Sequence, residues 1–281
     1  VAGIELGGVF GLRNLADADG LSQRLGSAKR AVVIGAGFIG LEFAAVAAAR
    51  GIAVDVLELG TRPMARALSA VTSQVFDHAH ARWGVRIHYG QSLAAIHGDG
   101  GQVSSVELAS GEVLPADLVV YGIGVLPNAE LAAQAQLTVN NGIVVDAHLL
   151  TSDPAISAIG DVVSFPSPWS PQAIRLESVQ NAVDQAKAVA ARLMGKPAGY
   201  AALPWFWTDQ GELKLQIAGL ADGHDETVVL GSVEQHQISV LCFRAGRLVA
   251  VESCNRPADH MAARKLIARN TPLSPAEAAA P

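Results

Sequence analysis

A glycine-rich run near residue 35 is the segment whose residue types and spacing most clearly fit a chemical task. The run VVIGAGFIG (residues 32–40) places G-x-G-x-x-G directly after an apolar strand and at the start of a helix. In that context Gly35 permits a tight turn, Gly37 lets the backbone approach a pyrophosphate, and Gly40 lets the helix pack closely on the strand. A tight turn without a ligand is the alternative. The residues predicted to hold the pyrophosphate are Gly35, Gly37, Phe38, Ile39 and Gly40.

A carboxylate about 20 residues further on supports the dinucleotide interpretation. The next strand, Ala53–Leu57, ends at Glu58, whose side chain can accept hydrogen bonds from both hydroxyls of an adenosine ribose. Because a carboxylate there would repel the extra phosphate of NADPH, we predict NADH as the nucleotide. Arg62 is also predicted to bind the nucleotide, since an arginine can reach a 2′-phosphate; a solvated loop charge is its other interpretation. Glu42, on the apolar helix after the turn, either lies at the surface or has a partner.

The composition limits the classes of protein to which this chain can belong. Its 281 residues are 50% hydrophobic, enough for one large domain or two to three ordinary ones. Twenty basic against 26 acidic side chains give no broad basic field, so nucleic acid is not an expected partner. No apolar run reaches the roughly 20 residues of a membrane helix, so no membrane partner is expected. Cys242 and Cys254 form neither CxxC nor CxxxxC, a usage typical of a reducing cytoplasm.

Hydrophobic periodicity predicts an α/β unit in the first half of the chain. Strand signals alternate with helical ones over residues 31–89, which indicates a parallel sheet. A small antiparallel excursion is expected over residues 93–114, before an apolar strand returns to the sheet and the unit closes near residue 142. The predicted strands are Ala31–Ile34, Ala53–Leu57, Val85–Tyr89 and Leu118–Tyr121, and the predicted helices are Phe38–Arg50 and Ser69–Trp83.

The second half of the chain changes its pattern twice. Strands at Ile143–Val145 and Ile156–Ile159 precede a helix from Ser178 to Met194, with Ser178 as its N-cap. Beyond residue 198 the sequence predicts an α+β domain, and residues 275–281 are expected to form a disordered tail. The predicted elements of that domain are the strands Leu213–Ile217, Thr227–Val229, Ile238–Phe243 and Leu248–Val251 and the helix Asp259–Ala268.

Several ordered motifs lie between Leu6 and Leu273. They are GAGFIGLEFAA (35–45), YGIGVLPN (121–128), TSDPAI leading into IGD (151–161), RLESVQNA (175–182), PWFWTDQ (204–210) and LKLQIAGL (213–220). Together these motifs resemble one family, the FAD-dependent NADH:ferredoxin reductases of bacterial oxygenase and P450 systems. The resemblance implies a two-dinucleotide-binding flavoprotein with Rossmann-like FAD- and NAD(P)-binding domains. The implied domains are the tail of an FAD-binding domain (1–25), an NADH-binding Rossmann domain (26–142), a second FAD-binding segment (143–198) and a C-terminal α+β reductase domain (199–274).

The resemblance also assigns roles to individual residues. Without it, Asp161 would be read as an Asx turn, Val179 and Trp207 as core, and Arg13 as a solvated loop charge. The implied roles are a ribityl contact for Asp161, a backbone N–H at the flavin pyrimidine edge for Val179, a place near FAD for Arg13, a place beside the flavin ring for Trp207, a place near the nicotinamide for Glu42, and a close backbone approach to the nicotinamide for Gly124.

The implied reaction passes a hydride from NADH to FAD and single electrons on to a [2Fe–2S] ferredoxin. No CxxC accompanies the NADH-binding unit to relay electrons to a disulfide. The cofactors supply the chemistry, so we predict no general acid or base and no metal ligand in this chain. Four basic side chains near the last helix are candidates for ferredoxin docking, with a solvated helix face as the alternative: Arg256, Arg264, Lys265 and Arg269.

One part of the family pattern is not matched. The chain starts at Val1 rather than Met, and the family's first FAD-binding unit, which carries its own G-x-G-x-x-G, has no counterpart here. If these residues are the whole molecule, tight FAD binding is not expected; if they are a fragment, the function belongs to the parent chain. The alternatives are therefore an NADH-binding fragment without activity alone, or a related flavoprotein such as a rubredoxin reductase, a nitrite reductase subunit or an NADH oxidase.

Overall fold

The computed structural model describes residues 1–280, and these residues divide into two compact units. Unit 1 comprises Val1–Gly124, Thr208–Leu215 and Ser232–Gln237. Unit 2 comprises Val125–Trp207, Gln216–Gly231 and the chain from Ile238 onward. The nucleotide-binding motif therefore lies in unit 1, together with two short segments from the last third of the sequence.

Strands and helices alternate through the first half of the chain, and strands dominate the last third. The strands are β1 (Val9–Gly11), β2 (Arg30–Ile34), β3 (Ala53–Glu58), β4 (Arg86–Tyr89), β5 (Leu93–Asp99), β6 (Gln102–Leu108), β7 (Val113–Pro115), β8 (Leu118–Tyr121), β9 (Ile143–Val144), β10 (Val163–Ser164), β11 (Trp205–Gln210), β12 (Leu213–Gly219), β13 (Glu226–Ser232), β14 (Gln237–Arg244) and β15 (Arg247–Cys254). The α-helices are α1 (Leu15–Leu25), α2 (Phe38–Ala48), α3 (Ala70–Arg82), α4 (Glu130–Gln134), α5 (Val179–Leu193), α6 (Pro257–Ala268) and α7 (Pro275–Ala278).

The main sheet of unit 1 is parallel and has the strand order β1-β8-β2-β3-β4. Apart from the buried Asp55 of β3, the buried positions of its central strands are Val, Leu and Ala, as expected when helices cover a parallel sheet. Helix α2 connects β2 to β3, and α3 connects β3 to β4. The predicted α/β fold is confirmed, and the glycine turn lies at the carboxyl end of β2, where such sheets bind ligands.

The antiparallel excursion predicted for residues 93–114 is also present. Strands β5, β6 and β7 form a three-stranded antiparallel sheet. Val103, Val106 and Leu108 from this sheet pack against Val32 and Val119 of the parallel sheet. The excursion therefore adds to the core of unit 1 instead of forming a separate layer with its own core.

Unit 2 contains the predicted helix α5 and most of the C-terminal sheet. Helix α5 begins at Val179 after the N-cap Ser178, whose hydroxyl accepts from Asn181 N at 3.1 Å. The C-terminal sheet has the order β11-β12-β15-β14-β13, and α6 packs on β15. Its core includes Phe243 and Ile267. The predicted α+β pattern of this region is confirmed.

Residues 1–25 are held by unit 1. Strand β1 pairs in parallel with β8, at the edge of the main sheet. Arg24, on α1, donates from Nε and Nη2 to the carbonyl oxygen of Asp117 at 3.1 and 2.8 Å. The first compact segment of unit 1 runs from Val1 to Gly124. The domain boundaries near residues 26 and 142 stay predictions. The assignment of residues 1–25 to an FAD-binding domain stays a prediction.

Three local predictions differ from the structure. The segment Ile156–Ile159 is not a strand; it contributes only the isolated bridge between Leu150 and Ser157. Strand β11 was not predicted among the strand-like runs. The expected tail over 275–281 is helical in its first part, because Pro275 at the start of α7 and a capping box between Ser274 and Glu277 stabilise a turn of helix; Pro281 lies outside the described residues.

Candidate nucleotide-binding sites

The turn between β2 and α2 requires glycine at two of its three motif positions for reasons internal to the protein. Gly35 has φ +99°, and a Cβ atom there would lie 2.8 Å from the carbonyl oxygen of Gly122. A Cβ at Gly40 would lie 2.1 Å from the carbonyl oxygen of Gly35, so helix α2 can approach the turn this closely only with glycine at that position. The predicted roles of these two glycines agree with the geometry.

Gly37 differs from the other two glycines. Its φ of −81° is open to any residue, and a Cβ atom would meet only the Gly122 carbonyl oxygen, at an ordinary 3.7 Å. Nothing within the protein therefore requires glycine here. A ligand that comes close to the backbone would require it, which supports the predicted pyrophosphate contact.

The first turn of α2 offers hydrogen-bond donors at the same place. Among the described residues, no acceptor is found for the backbone N–H groups of Gly37, Ile39 and Gly40. Ile39 is 42% exposed and Phe38 is partly buried. Open N–H groups at the positive end of an eleven-residue helix form a site for an anion.

Glu58 lies at the end of β3 with both carboxylate oxygens held by backbone. Oε2 accepts from Ala36 N at 2.8 Å, and Oε1 accepts from Gly60 N at 2.7 Å. Each ionised oxygen can accept one further hydrogen bond, so capacity for ribose hydroxyls is left. The same side chain therefore fixes the glycine turn and presents a carboxylate beside it.

Arg62 requires a correction. Its Nη1 donates to Leu68 O at 2.8 Å and to Ser73 Oγ at 2.6 Å, and its Nη2 donates to Ala65 O at 2.9 Å. These bonds fasten the loop before α3. The guanidinium is thus neither a solvated loop charge nor directed at a nucleotide phosphate, because the local carbonyl groups already bind it.

Glu42 is half-buried and paired, which settles the choice that the sequence left open. The hydroxyl of Thr208, in β11, donates to Glu42 Oε1 at 2.5 Å. Burial raises the pKa of the Glu42 carboxyl above its usual range; the Thr208 hydrogen bond opposes this shift, and the negative charge of Asp209 adds to it. Sequence reasoning missed Thr208, because 166 residues separate it from Glu42. The only available signal was the rule that a carboxylate on an apolar helix needs a partner.

Gly124 lies beyond β8 with an open backbone. Its φ is +107°, and no atom lies within 4 Å of the position that a Cβ would take. A side chain is disfavoured here by backbone conformation rather than by lack of space. The position is therefore open to a ligand, as the resemblance implies.

In unit 2, Asp161 belongs to a 3-10 turn over Gly160–Val162 that side chains from elsewhere hold in place. The buried Gln185 of α5 accepts from Gly160 N at 2.7 Å, and Arg175 Nη1 donates to Asp161 O at 3.1 Å. No partner of the Asp161 carboxylate is found among the described residues. Asp161 is thus fixed through its backbone and has a carboxylate that can accept from a ligand hydroxyl.

Val179 and Trp207 are the other unit 2 residues of the predicted flavin set. Val179 is 66% exposed at the start of α5, and the N–H groups of Val179 and Gln180 have no acceptor among the described residues. Trp207 is 39% exposed, with its ring 5.4 Å from that of Trp205. Exposed apolar surface together with open N–H donors fits the edge and the face of an isoalloxazine ring, so these residues fit the flavin half of FAD.

Arg13 is the one predicted flavin residue of unit 1. Its backbone N–H donates to Asp17 Oδ2 at 2.9 Å at the start of α1, and the residue is exposed. No hydrogen bond or ion pair of its guanidinium is found in residues 1–280. Its predicted place near FAD stays a prediction.

The two thiols do not form a redox pair. Cys242 and Cys254 are free, buried and on neighbouring strands, where Cys254 pairs with Ile238 rather than with Cys242. Burial raises the pKa of the Cys254 thiol to about 12 and also raises the pKa of Cys242, where the charge of Glu252 contributes. A protonated, buried thiol is a poor nucleophile. Residues 1–280 contain no group of three or more His, Cys, Asp and Glu side chains that could hold a metal ion.

A parallel sheet with an open glycine turn and a carboxylate at the next strand end is the fold of a dinucleotide-binding protein. Residues 1–186 match the pyridine nucleotide-disulphide oxidoreductase family, and residues 205–281 match the reductase C-terminal domain. The chain therefore belongs to the pyridine nucleotide-disulphide oxidoreductase family.

Comparison with individual proteins shows which members of the family this chain resembles. Over 279 residues the chain is 50% identical to rhodocoxin reductase of Rhodococcus erythropolis, covering 99% of this chain and 65% of that protein. The ferredoxin reductase for the CYP199A2 system of Rhodopseudomonas palustris superposes with a TM-score of 0.97 at 49% identity, over 100% of this chain and 69% of that one. Putidaredoxin reductase, in its covalent complex with putidaredoxin, gives 0.92 at 40% identity over 95% and 64%. The chain thus spans about two thirds of the length of these relatives.

No helix within residues 1–280 combines the length and the apolar character needed to cross a bilayer.

Proposed function

We propose that this chain serves a ferredoxin reductase that transfers electrons from NADH, through FAD, to a [2Fe–2S] ferredoxin of an oxygenase or P450 system. The observation that carries the proposal is the turn at Gly37, where no protein atom requires glycine and open N–H groups point to an anionic ligand. The relatives, which are reductases for rhodocoxin, putidaredoxin and a CYP199A2 system, support this class of electron acceptor.

NADH is the proposed electron donor. Glu58 supports it because the carboxylate is fixed beside the turn and would repel a 2′-phosphate. The engagement of Arg62 within its own loop supports the same choice, since it leaves that arginine no role in binding the phosphate of NADPH. Gly35, Gly37, Phe38, Ile39 and Gly40 form the proposed pyrophosphate site, and Glu42 and Gly124 the proposed nicotinamide site.

Asp161, Val179 and Trp207 would hold the flavin, with Arg13 as a further proposed contact. FAD, when bound, supplies the conversion from a two-electron donor to a one-electron acceptor. The chain contributes a carboxylate for a ribityl hydroxyl, open N–H groups for the pyrimidine edge and an aromatic surface for the ring. We assign no general acid or base, because hydride and electron transfer require none.

The basic residues near α6 are the proposed ferredoxin contacts. Lys265 and Arg269 line a cavity of about 460 Å³ in unit 2, together with Arg264, whose guanidinium lies 4.5 Å from the Trp205 ring centre. Arg256 is paired with Asp259 at 2.6 Å and contributes less free charge. A partner with an acidic surface would meet local positive charge here, despite the net charge of −6. We propose the reducing cytoplasm as the location, supported by the two unpaired cysteines.

The purified protein can be tested by anaerobic titration with NADH. The expected result is bleaching of a bound flavin followed by reduction of a [2Fe–2S] ferredoxin, at a rate that falls with added salt and after charge reversal of Lys265 and Arg269. Transfer to rubredoxin, nitrite or oxygen with none to ferredoxin would replace the proposed acceptor. NADH binding without any flavin would leave only a nucleotide-binding chain and overturn the electron-transfer proposal.

A further inference from the structure

A buried chain of hydrogen bonds connects Glu42 to the interior of unit 1. Thr208 donates to Glu42 Oε1 at 2.5 Å, and Gln210 Nε2 donates to Thr208 Oγ1 at 3.3 Å. Gln210 Oε1 lies 2.8 Å from His80 Nε2, on α3. Thr208, Gln210 and His80 are at most 1% exposed. All four residues belong to unit 1, although Thr208 and Gln210 come from the segment that matches the reductase C-terminal domain.

The types of donor and acceptor atoms give each hydrogen bond between His80 and Glu42 its direction. An amide oxygen only accepts, so His80 Nε2 carries the proton and donates to Gln210. The Gln210 amide nitrogen then donates to Thr208 and also contacts Met64 Sδ at 3.7 Å. The Thr208 hydroxyl has its acceptor in the Glu42 carboxylate. All donors therefore point toward Glu42, and aligned bonds of this kind reinforce one another at a low dielectric.

We propose that Thr208 and Gln210 are positioning residues that hold the ionised Glu42 carboxyl in one orientation, so that this segment sets the relative affinity for oxidised and reduced nicotinamide. The inference rests on the proposed function, because it takes the nicotinamide to lie near Glu42. The oxidised ring carries a positive charge that the reduced ring lacks. An ionised Glu42 therefore favours NAD⁺ over NADH, and a protonated one does not.

The polar and charged groups around Glu42 predict opposite shifts of its pKa for two substitutions. On β11 the facing groups are the Thr208 hydroxyl, which lowers the pKa of Glu42, and the Asp209 carboxylate, which raises it. On α3 the neutral His80 lies at the far end of the chain, where burial lowers its pKa and the charge of Asp77 opposes that shift. Thr208→Val should thus raise the pKa of Glu42, and Asp209→Asn should lower it.

The first measurement needs no nucleotide. Side-chain carboxyl signals of the ¹³C-glutamate-labelled chain are followed through a pH titration, with Glu42→Gln identifying the Glu42 signal. The midpoint should move up in Thr208→Val, down in Asp209→Asn, and stay in place in Thr208→Ser, which keeps the hydroxyl. Gln210→Met should move it up by less than Thr208→Val. Thr72→Val is the matched control, since Thr72 is a buried hydrogen-bonded threonine of unit 1 that does not contact Glu42.

The second measurement is the ratio of NAD⁺ to NADH affinity across the same pH range. The ratio should rise through the Glu42 midpoint by roughly tenfold, follow the shifted midpoints of the variants, and become flat in Glu42→Gln. Unmoved carboxyl midpoints in Thr208→Val and Asp209→Asn would overturn the positioning role itself. Shifted midpoints without nucleotide binding would instead overturn the proposed function. Nucleotide binding with a pH-independent affinity ratio would show that Glu42 does not lie near the nicotinamide.

Discussion

The two units fix the turns of their candidate binding sites in different ways. In unit 1 the turn before α2 is closed within one βαβ unit, since Gly40 packs on the Gly35 carbonyl and Glu58, at the end of the next strand, accepts from Ala36 N. In unit 2 the turn at Gly160 also has a positive φ of +80°, but the side chain of Gln185, on helix α5, accepts from Gly160 N. The first turn is therefore fixed by its own glycines and by the next strand of the same sheet, and the second depends on the packing of α5.

The buried histidines show a parallel difference. His80 of unit 1 has one nitrogen bonded to Gln210 and anchors a directed chain. His260 of unit 2 is also buried, yet neither ring nitrogen has a partner among the described residues, and its ring lies 5.6 Å from Trp205. His80 is thus part of a hydrogen-bonded network, whereas His260 contributes mainly by packing. Four predictions test this contrast.

The largest expected effect is on the stability of unit 1. Gly40→Ala would place a Cβ atom 2.1 Å from the Gly35 carbonyl oxygen, so backbone must move. We expect a loss of about 3 kcal/mol in the free energy of unfolding, at the upper end of overpacking costs. Denaturant titration measures it, with Gly37→Ala as the control that should change stability by less than about 1 kcal/mol. Similar losses in both variants would contradict the different roles assigned to the two glycines.

The second prediction concerns acid sensitivity in unit 2. Burial, together with the charge of Arg264, lowers the pKa of His260 to about 4. In the unfolded chain His260 binds a proton below its ordinary pKa of about 6.5, whereas in the folded chain it stays neutral until its pKa of about 4. The contribution of His260 to folding stability is therefore fully present above pH 6.5 and is lost as the pH falls toward 4. The loss should be on the order of 3 kcal/mol.

His260→Phe should remove this component while keeping a ring against Trp205, and His260→Leu serves if the larger ring is not accommodated. Unfolding free energies at neutral and acid pH, compared between the protein and each variant, isolate the contribution of His260 from that of other groups. An equal loss on acidification in the protein and both variants would show that His260 does not carry the sensitivity.

The contrast between the units explains what could be predicted from the sequence. The βαβ core was predictable because apolar strands, the glycine turn and Glu58 are close in sequence and each follows a local rule. The candidate flavin residues were predicted only through a resemblance, since Gln185 and Arg175 fix the Asp161 turn from other parts of the chain. The same argument applies to Thr208, because no local pattern indicates that β11 approaches α2.

The errors have physical causes as well. Arg62 was predicted to contact the nucleotide or solvent, because the sequence does not show that backbone carbonyl groups of its own loop accept its hydrogen bonds. The pairing of the three residues of β1 with β8 was not predicted either, because no periodicity can show such an association over so short a strand. Helix α7 was not predicted because the small residues around it suggested disorder, and the capping box at its start was not considered.

The third prediction separates binding from folding at the glycine turn. A Gly37→Ala side chain fits the free protein, but its methyl group would lie where the proposed function places the pyrophosphate. NADH affinity should fall by roughly tenfold to a hundredfold, the equivalent of about 1–3 kcal/mol of overpacking, while the unfolding midpoint stays nearly constant. Isothermal titration with NADH measures the affinity. Unchanged affinity would mean that the open side of Gly37 does not face the nucleotide.

The smallest expected effect tests the start of α5. Val179→Pro removes one open N–H group at the first helical position, where proline is tolerated, and the extended Ser178 (φ −151°, ψ 144°) is compatible with a following proline. Loss of one hydrogen bond should weaken FAD binding by about 1 kcal/mol, or roughly fivefold, in a flavin fluorescence titration. Val179→Ala keeps the N–H and should bind FAD more tightly than Val179→Pro. Equal weakening in the two variants would assign the contact to the side chain, and full affinity in Val179→Pro would move the flavin edge away from α5.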